Sequence, residues 1–148
     1  MISKYLDKDL VVFLDEKSQE EAISCLVDTL AKAGRLQDAG KFHTAILERE
    51  KIVSTGIGIG VAIPHAKIKG CSDFFIAIGV QREQGIEWNA LDGSLVRLVF
   101  MIGGPDNKQT EYLNILSALT QAIKDESRRK RLLKCKTKED VLRLFGEL

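Results

Sequence analysis

The sequence predicts a single α/β (α+β) domain, and three observations carry that prediction. Helical periodicity dominates both ends of the chain, and β-branched, glycine-punctuated runs fill the middle. No linker, internal repeat or low-complexity segment divides the two textures. The 148 residues fit one domain over 1–148, long enough to bury a core without disulfides or metals.

Each element follows from local chemistry. Ser18-Gln19-Glu20-Glu21 is a capping box, in which a hydroxyl and a carboxylate satisfy the orphan amides of a helix start. Behind it Ala22, Ile23, Leu26, Val27 and Leu30 repeat at helical spacing, and Gly34 stands where a left-handed cap ends the helix. A second helix is predicted from Asp38 to Glu50, with Phe42, Ile46 and Arg49 on one face. Gly56, Gly58 and Gly60 alternate and cannot hold a helix, so this segment reads as a loop running into the strand Val61-Ala62-Ile63, stopped by Pro64. Phe74 to Val80 is a buried strand, Gly85–Trp88 and Asp92-Gly93 suggest hairpin-like connections, and Leu95 to Ile102 is the strongest strand. Gly103-Gly104-Pro105 is expected to end it. A helix then presents Leu113, Leu116, Leu119 and Ile123 as its inward stripe. A short helix covers Ser127 to Lys134, and Thr137 opens a last one packing Val141, Leu144 and Phe145.

Composition excludes several function classes. With 45% hydrophobic and 29% charged residues the chain is not disordered. A net charge of +1 argues against a nucleic-acid partner. The dense run Arg128-Arg129-Lys130-Arg131 splays around a helix and reads as a solvated face. The longest apolar run, Phe74–Val80, is far short of the ~18 residues that span a bilayer, and the N-terminus carries no secretory pattern. A cytoplasmic location without direct membrane insertion is therefore expected. Cys25, Cys71 and Cys135 lack paired spacing, which implies reduced thiols, no metal site and no cofactor.

Only two histidines are available for chemistry. His43 lies mid-helix with no ligand partner one turn away, and reads as an ordinary helix residue. His65 follows Pro64, whose fixed φ stiffens the backbone that delivers the imidazole. On local chemistry alone it reads first as a strand-end histidine bonding a neighbouring carbonyl, and only second as a nucleophile. The glycine segment lacks both the dinucleotide spacing and the lysine of a P-loop, which disfavours nucleotide binding. It remains either a purely structural loop or a nest whose amides face an anion, with Ser54 and Thr55 as hydroxyl donors.

Three segments together resemble a known family: Ala45 to Lys51, then Ser54-Thr55-Gly56-Ile57-Gly58, then Gly60-Val61-Ala62-Ile63-Pro64-His65-Ala66-Lys67. They are similar to the IIA enzymes of the bacterial phosphotransferase system, in the fructose, mannitol and nitrogen-regulatory superfamily. Ala90-Leu91-Asp92-Gly93, the Val96–Ile102 strand and Leu113 to Leu116 extend the likeness over essentially the whole chain. The resemblance implies a mixed β-sheet with helices on both faces. It also implies a phosphocarrier standing alone, without fused IIB or IIC domains, nearest the nitrogen-regulatory branch. His65 would accept a phosphoryl group from the phosphohistidine of HPr or a nitrogen-branch relative. It would pass the group to a IIB partner or hold it as a regulatory signal. Arg49 would stabilise the phosphate, helped by Ser54, Thr55 and the amides at Gly56 and Gly58. The competing reading of Arg49 is a surface ion pair with Glu48 or Asp92.

One position departs from the family pattern. Relatives commonly carry a second histidine immediately before the leucine that is Leu113 here, and this chain has Tyr112. A phenol donates one hydrogen bond to phosphate but carries no positive charge. That departure keeps alive a non-catalytic binding module with the IIA fold, beside a sugar-uptake component of the fructose or mannitol type.

Overall fold

Alternate residues along the two central strands face different cores, which makes this a sheet covered on both sides. The computed structural model describes residues 2–146. Its strands are β1 (Val11–Phe13), β2 (Gly56–Gly58), β3 (Val61–Ala62), β4 (His65–Ile68), β5 (Phe75–Val80) and β6 (Leu98–Pro105). The helices are α1 (Gln19–Lys32), α2 (Ala39–Ile52), α3 (Gln109–Lys124), α4 (Glu126–Leu132) and α5 (Lys138–Arg143). Ile76, Ile78, Phe100 and Ile102 pack into a core with α3, α4 and α5. Phe75, Ala77, Val99 and Met101 pack on the other face with α1 and α2. Strands buried on both faces lose the apolar–polar alternation and read as continuous apolar runs, as β5 and β6 do.

The sheet is mixed, as expected. β5 and β6 are antiparallel, β1 runs parallel to β5, and β3 and β4 both run parallel to β6. β2 closes the far edge antiparallel to β3, with a register irregularity between Gly56 and Gly58. β3 and β4 keep one register against β6, from Val61 opposite Leu98 to Ile68 opposite Pro105. They are one line of strand with Ile63-Pro64 as the interruption. The Pro64 carbonyl still accepts the Ile102 amide hydrogen at 3.0 Å. Proline has no amide to give back, so the ladder thins there without changing phase.

The helix caps fall where the sequence places them. Ser18 accepts from the Glu21 amide, Asp38 from Lys41, and Thr137 from Asp140. The short fourth helix is capped by Asp125, slightly earlier than the Ser127 start expected.

Three expectations are corrected. The Gly103-Gly104-Pro105 segment continues β6 rather than ending it. A side chain at 103 would stand 2.4 Å from the Phe75 ring and 2.7 Å from Phe42, and one at 104 would stand 2.1 Å from Phe74. These glycines make room for three aromatic rings. Leu95–Arg97 lies outside β6, joined to Ile86 only by a bridge at Val96. On α3 the inward face is Tyr112, Ile115, Leu119, Ala122 and Ile123, while Leu113 points outward at 51% exposure. Three leucines and Ile123 suggest one stripe, but the helix turns the tyrosine in and the first leucine out. The strand β1 and the extension of strand past Pro64 were not foreseen.

Candidate functional site

His65 opens β4 opposite Ile102, with its side chain on the α3 face of the sheet. Its Nδ1 lies 2.9 Å from the Ile63 carbonyl oxygen. A carbonyl only accepts, so Nδ1 carries the ring hydrogen and Nε2 presents a lone pair. The bond to a neighbouring carbonyl is thus compatible with a free Nε2, so the two readings of His65 do not exclude each other. Burial pushes the His65 pKa below the ordinary histidine value, and the positive charges of Arg49 and Lys67 push the same way. The Ile63 bond and the Glu50 carboxylate oppose them without reversing the direction. The imidazole is therefore neutral and nucleophilic at neutral pH.

The half-buried ring lines a cleft of about 450 Å³ with Arg49, Ile63, Ile123 and Lys124. Arg49 reaches it from α2, on the opposite helix layer. Neither proposed ion pair of Arg49 forms: Glu48 holds Lys51 at 3.2 Å, and Asp92 is occupied elsewhere. Instead Arg49 Nη1 donates to the Val53 carbonyl at 2.9 Å, leaving the rest of its fork free of protein acceptors among the described residues. Ile57 and Ile59 form an apolar rim, each nearly half exposed.

The sequence readings of Ser54, Thr55, Gly56 and Gly58 meet a different arrangement. Ser54 donates its hydroxyl hydrogen to the Trp88 carbonyl and accepts the Gly56 amide at 3.0 Å. Buried Thr55 donates its hydroxyl hydrogen to Glu50. Both residues line the cleft, but their hydrogens are spent on internal acceptors. The loop does face an anion, and that anion is the chain's own Asp92. Its carboxylate accepts from the Ile59 amide at 2.9 Å and from the Ser94 amide at 2.9 Å. The Ile59 bond foremost, then the Ser94 hydroxyl and amide, bring its pKa down to about 2. Gly58 at φ +94° is the place where Asp92 fits, since a side chain there would stand 2.8 Å from its oxygen. Ile59 itself is held at φ +54°, a conformation unfavourable for a β-branched residue.

Tyr112 packs beside His65, ring centroids 5.9 Å apart, and against Phe74 at 6.2 Å. Burial raises the phenol's pKa, so it is protonated at neutral pH. Among the described residues no protein group bonds its hydroxyl. Lys67 Nζ stands over the Tyr112 ring at 4.6 Å and also donates to Gln109. This brings a cation to the tyrosine that lacks one. Lys67 was visible only as part of a motif, with nothing in its spacing to mark it as a neighbour of residue 112. Glu50 was missed altogether, because a carboxylate at a helix end is ordinarily solvated. His43 lies away from His65, in a groove between α1, α2 and Trp88. No cluster of metal-ligating side chains occurs among the described residues, and no described helix is long and apolar enough to cross a membrane.

Comparison with known proteins identifies the family and the fold. The family model for the phosphoenolpyruvate-dependent sugar phosphotransferase system, EIIA 2, matches residues 4–147. The fructose-specific EIIA component of Haloferax volcanii is 37% identical over 131 residues, covering 88% of this chain and 84% of the relative. The fructose-specific EIIABC component of Bacillus subtilis is 36% identical over 134 residues. That match takes in 90% of this chain, which spans only about a fifth (21%) of the larger protein. Among solved structures, the nitrogen regulatory protein IIA-Ntr of Neisseria meningitidis superposes with a TM-score of 0.89 at 28% identity, covering 97% of each chain. The mannitol IIA enzyme of Escherichia coli, solved in complex with phosphorylated IIB, gives 0.78 at 26% identity, covering 97% of this chain and 98% of that one.

Proposed function

Because the chain belongs to the EIIA 2 family of the phosphoenolpyruvate-dependent sugar phosphotransferase system, we propose that it is a cytoplasmic phosphocarrier whose acceptor atom is His65 Nε2. The observation that carries this reading is the Ile63 bond to Nδ1, which leaves Nε2 unprotonated beside an arginine in an open cleft. The donor is a protein phosphohistidine of the HPr type. Its N–P bond breaks as the Nε2 lone pair forms the new one, and the bonding pair returns to the donor ring. With a hydrogen on its other nitrogen the donor ring leaves as neutral imidazole, while His65 keeps its Nδ1 hydrogen and takes over the positive charge, so no proton need move in that exchange. Arg49 sets part of its planar fork against the equatorial oxygens, where phosphoryl transfer develops its charge. A second protein reaches the ring across the apolar rim of Ile57 and Ile59, in a transient encounter burying less than about 1,200 Å².

The phosphoryl group then passes to a IIB domain or serves as a signal. The E. coli mannitol IIA complex with phosphorylated IIB supports the first outcome, and the close superposition on IIA-Ntr supports the second. The higher identities to fructose components weigh toward uptake, against the nitrogen-regulatory likeness drawn from the motif strings. Incubation with phosphoenolpyruvate, enzyme I and HPr, followed by intact mass, tests the reading. One acid-labile, alkali-stable phosphate is expected, and an unmodified mass overturns it.

A further inference from the structure

We propose that Glu50 is the positioning residue of this site, fixing Arg49 against the His65 cleft through the turn that follows α2. The inference rests on the phosphocarrier reading above and adds a residue to it. Arg49 and Glu50 are consecutive on the last turns of α2, so their side chains leave the helix about 100° apart. Arg49 lines the cleft, while Glu50 turns toward Trp88 and the groove on the other side.

The Glu50 carboxylate gathers four donors. Oε2 accepts the Thr55 amide hydrogen and one from Gln19 Nε2, each at 3.2 Å. Oε1 accepts from the Thr55 hydroxyl and from Trp88 Nε1 at 3.4 Å. Trp88 is 1% exposed and is clasped a second time, its carbonyl taking the Ser54 hydroxyl hydrogen. The turn 53–55 is therefore bolted to α2 by one carboxylate and to Trp88 by two bonds, the Ser54 hydroxyl on its carbonyl and its indole Nε1 donating to Thr55 Oγ1 at 3.3 Å. The carbonyl that holds Arg49 is Val53, within that same turn. Glu50 thus reaches Arg49 by a short mechanical path: carboxylate, Thr55, turn, Val53 carbonyl, guanidinium. A misplacement of about 1 Å at a positioning group costs roughly 100-fold in rate, so such bracing is commensurate with the chemistry.

Acting through Arg49 has a signature that a merely structural role lacks. The rate of phosphoryl uptake from phosphorylated HPr is measured for the parent, Glu50→Ala, Arg49→Ala and the double variant, with Tm and Trp88 emission recorded alongside. Glu50→Ala should slow uptake about tenfold or more, and shift the emission of the single tryptophan as its indole loses a partner. The same substitution in the Arg49→Ala background should change the rate less than about twofold, because the group it positions is gone. Glu50→Gln keeps one acceptor oxygen for Thr55 and should recover most of the rate. Equal slowing in both backgrounds, or no slowing in the parent, overturns the role of Glu50 and leaves His65 as acceptor. If Glu50→Ala melts below the assay temperature, Glu50→Asp, whose carboxylate is drawn back one methylene from Thr55 and Trp88, is compared in both backgrounds and decides by the same rule. A parent that takes up no phosphate overturns the functional reading itself, and Glu50 with it.

Discussion

The Ile63 carbonyl and the His65 imidazole, two residues apart, form a closed ring in which the backbone accepts the Nδ1 hydrogen at 2.9 Å. Ile63 is pinned in turn, since its amide donates to the Thr55 carbonyl at 3.0 Å. His65→Ala should therefore abolish phosphorylation while His43→Ala leaves it intact, as read by intact mass. Label retained in the His65 variant would remove it as acceptor.

Burial and two nearby cations depress the His65 pKa, so the neutral nucleophile persists below the ordinary histidine value of about 6.5. The acid limb of the uptake rate, once donor titration is subtracted, should fall below pH ~6.5. The same shift has a stability consequence. The unfolded imidazole binds its proton first as pH drops, so the contribution of His65 is complete above about 6.5 and is lost as pH falls toward the folded pKa. A His65→Gln variant should show a shallower loss of Tm across that window. An acid limb at or above 6.5 would mean the ring is better solvated than its surroundings imply.

Tyr112→Phe removes a hydroxyl and leaves the ring against His65 and Phe74. If that hydroxyl donates to a phosphate oxygen, transfer should slow or phosphohistidine lability rise by about tenfold, with Tm unchanged. Tyr112→His should equal or exceed the parent. A phenylalanine variant at the parental rate would make Tyr112 a packing residue and shift the cationic role to Lys67.

Ile59 is a β-branched residue at φ +54° whose side chain stands on the rim. Strain of about 1 kcal/mol or more is maintained there by the Asp92 bond to its amide. Ile59→Gly should raise Tm by about 2–4 °C per kcal/mol relieved, and at the same time lower the second-order rate with the protein donor. A variant more stable and equally fast would show the side chain has no part in docking.

Gly103→Ala places a methyl among Phe75 and Phe42, and overpacking of this kind costs about 1–3 kcal/mol. Denaturant unfolding should register the loss. Gly34→Ala is the contrast: nothing lies within 4 Å, and any cost there comes from its φ of +75° alone.

What the sequence disclosed was whatever depended on near neighbours. Capping serines, threonines and aspartates act over three residues, so helix starts were readable. The stiffness at Pro64-His65 was readable for the same reason. What depended on distant partners was not. The aromatic rings that require Gly103 and Gly104 come from β5, α2 and the chain just before β5, so the glycines looked like a strand stop. The anion facing the glycine loop lies far along the chain at Asp92, and Glu50 acquires its role only when Trp88 folds over it. On α3 the leucine pattern alone sets Leu113 inward, whereas the helix turns it to solvent and gives the space beside His65 and Phe74 to the Tyr112 ring.

The unbroken phase between β3 and β4 makes the face of His65 a matter of parity. Val61 and Ile63 point into the α3 core, Ala62 into the other, and His65 inherits the odd-numbered side across Pro64. One residue added at this junction, with β4 still paired to β6, would exchange the faces of every side chain beyond it. The imidazole would then stand opposite Gly103 and turn toward α2, away from Tyr112, and the added residue would take the place beside the phenol. Two added residues would restore the face but move the ring about 7 Å along the sheet, beyond the reach of an arginine fixed at the end of α2. The spacing from Val61 to His65 therefore decides which face of the sheet the imidazole serves.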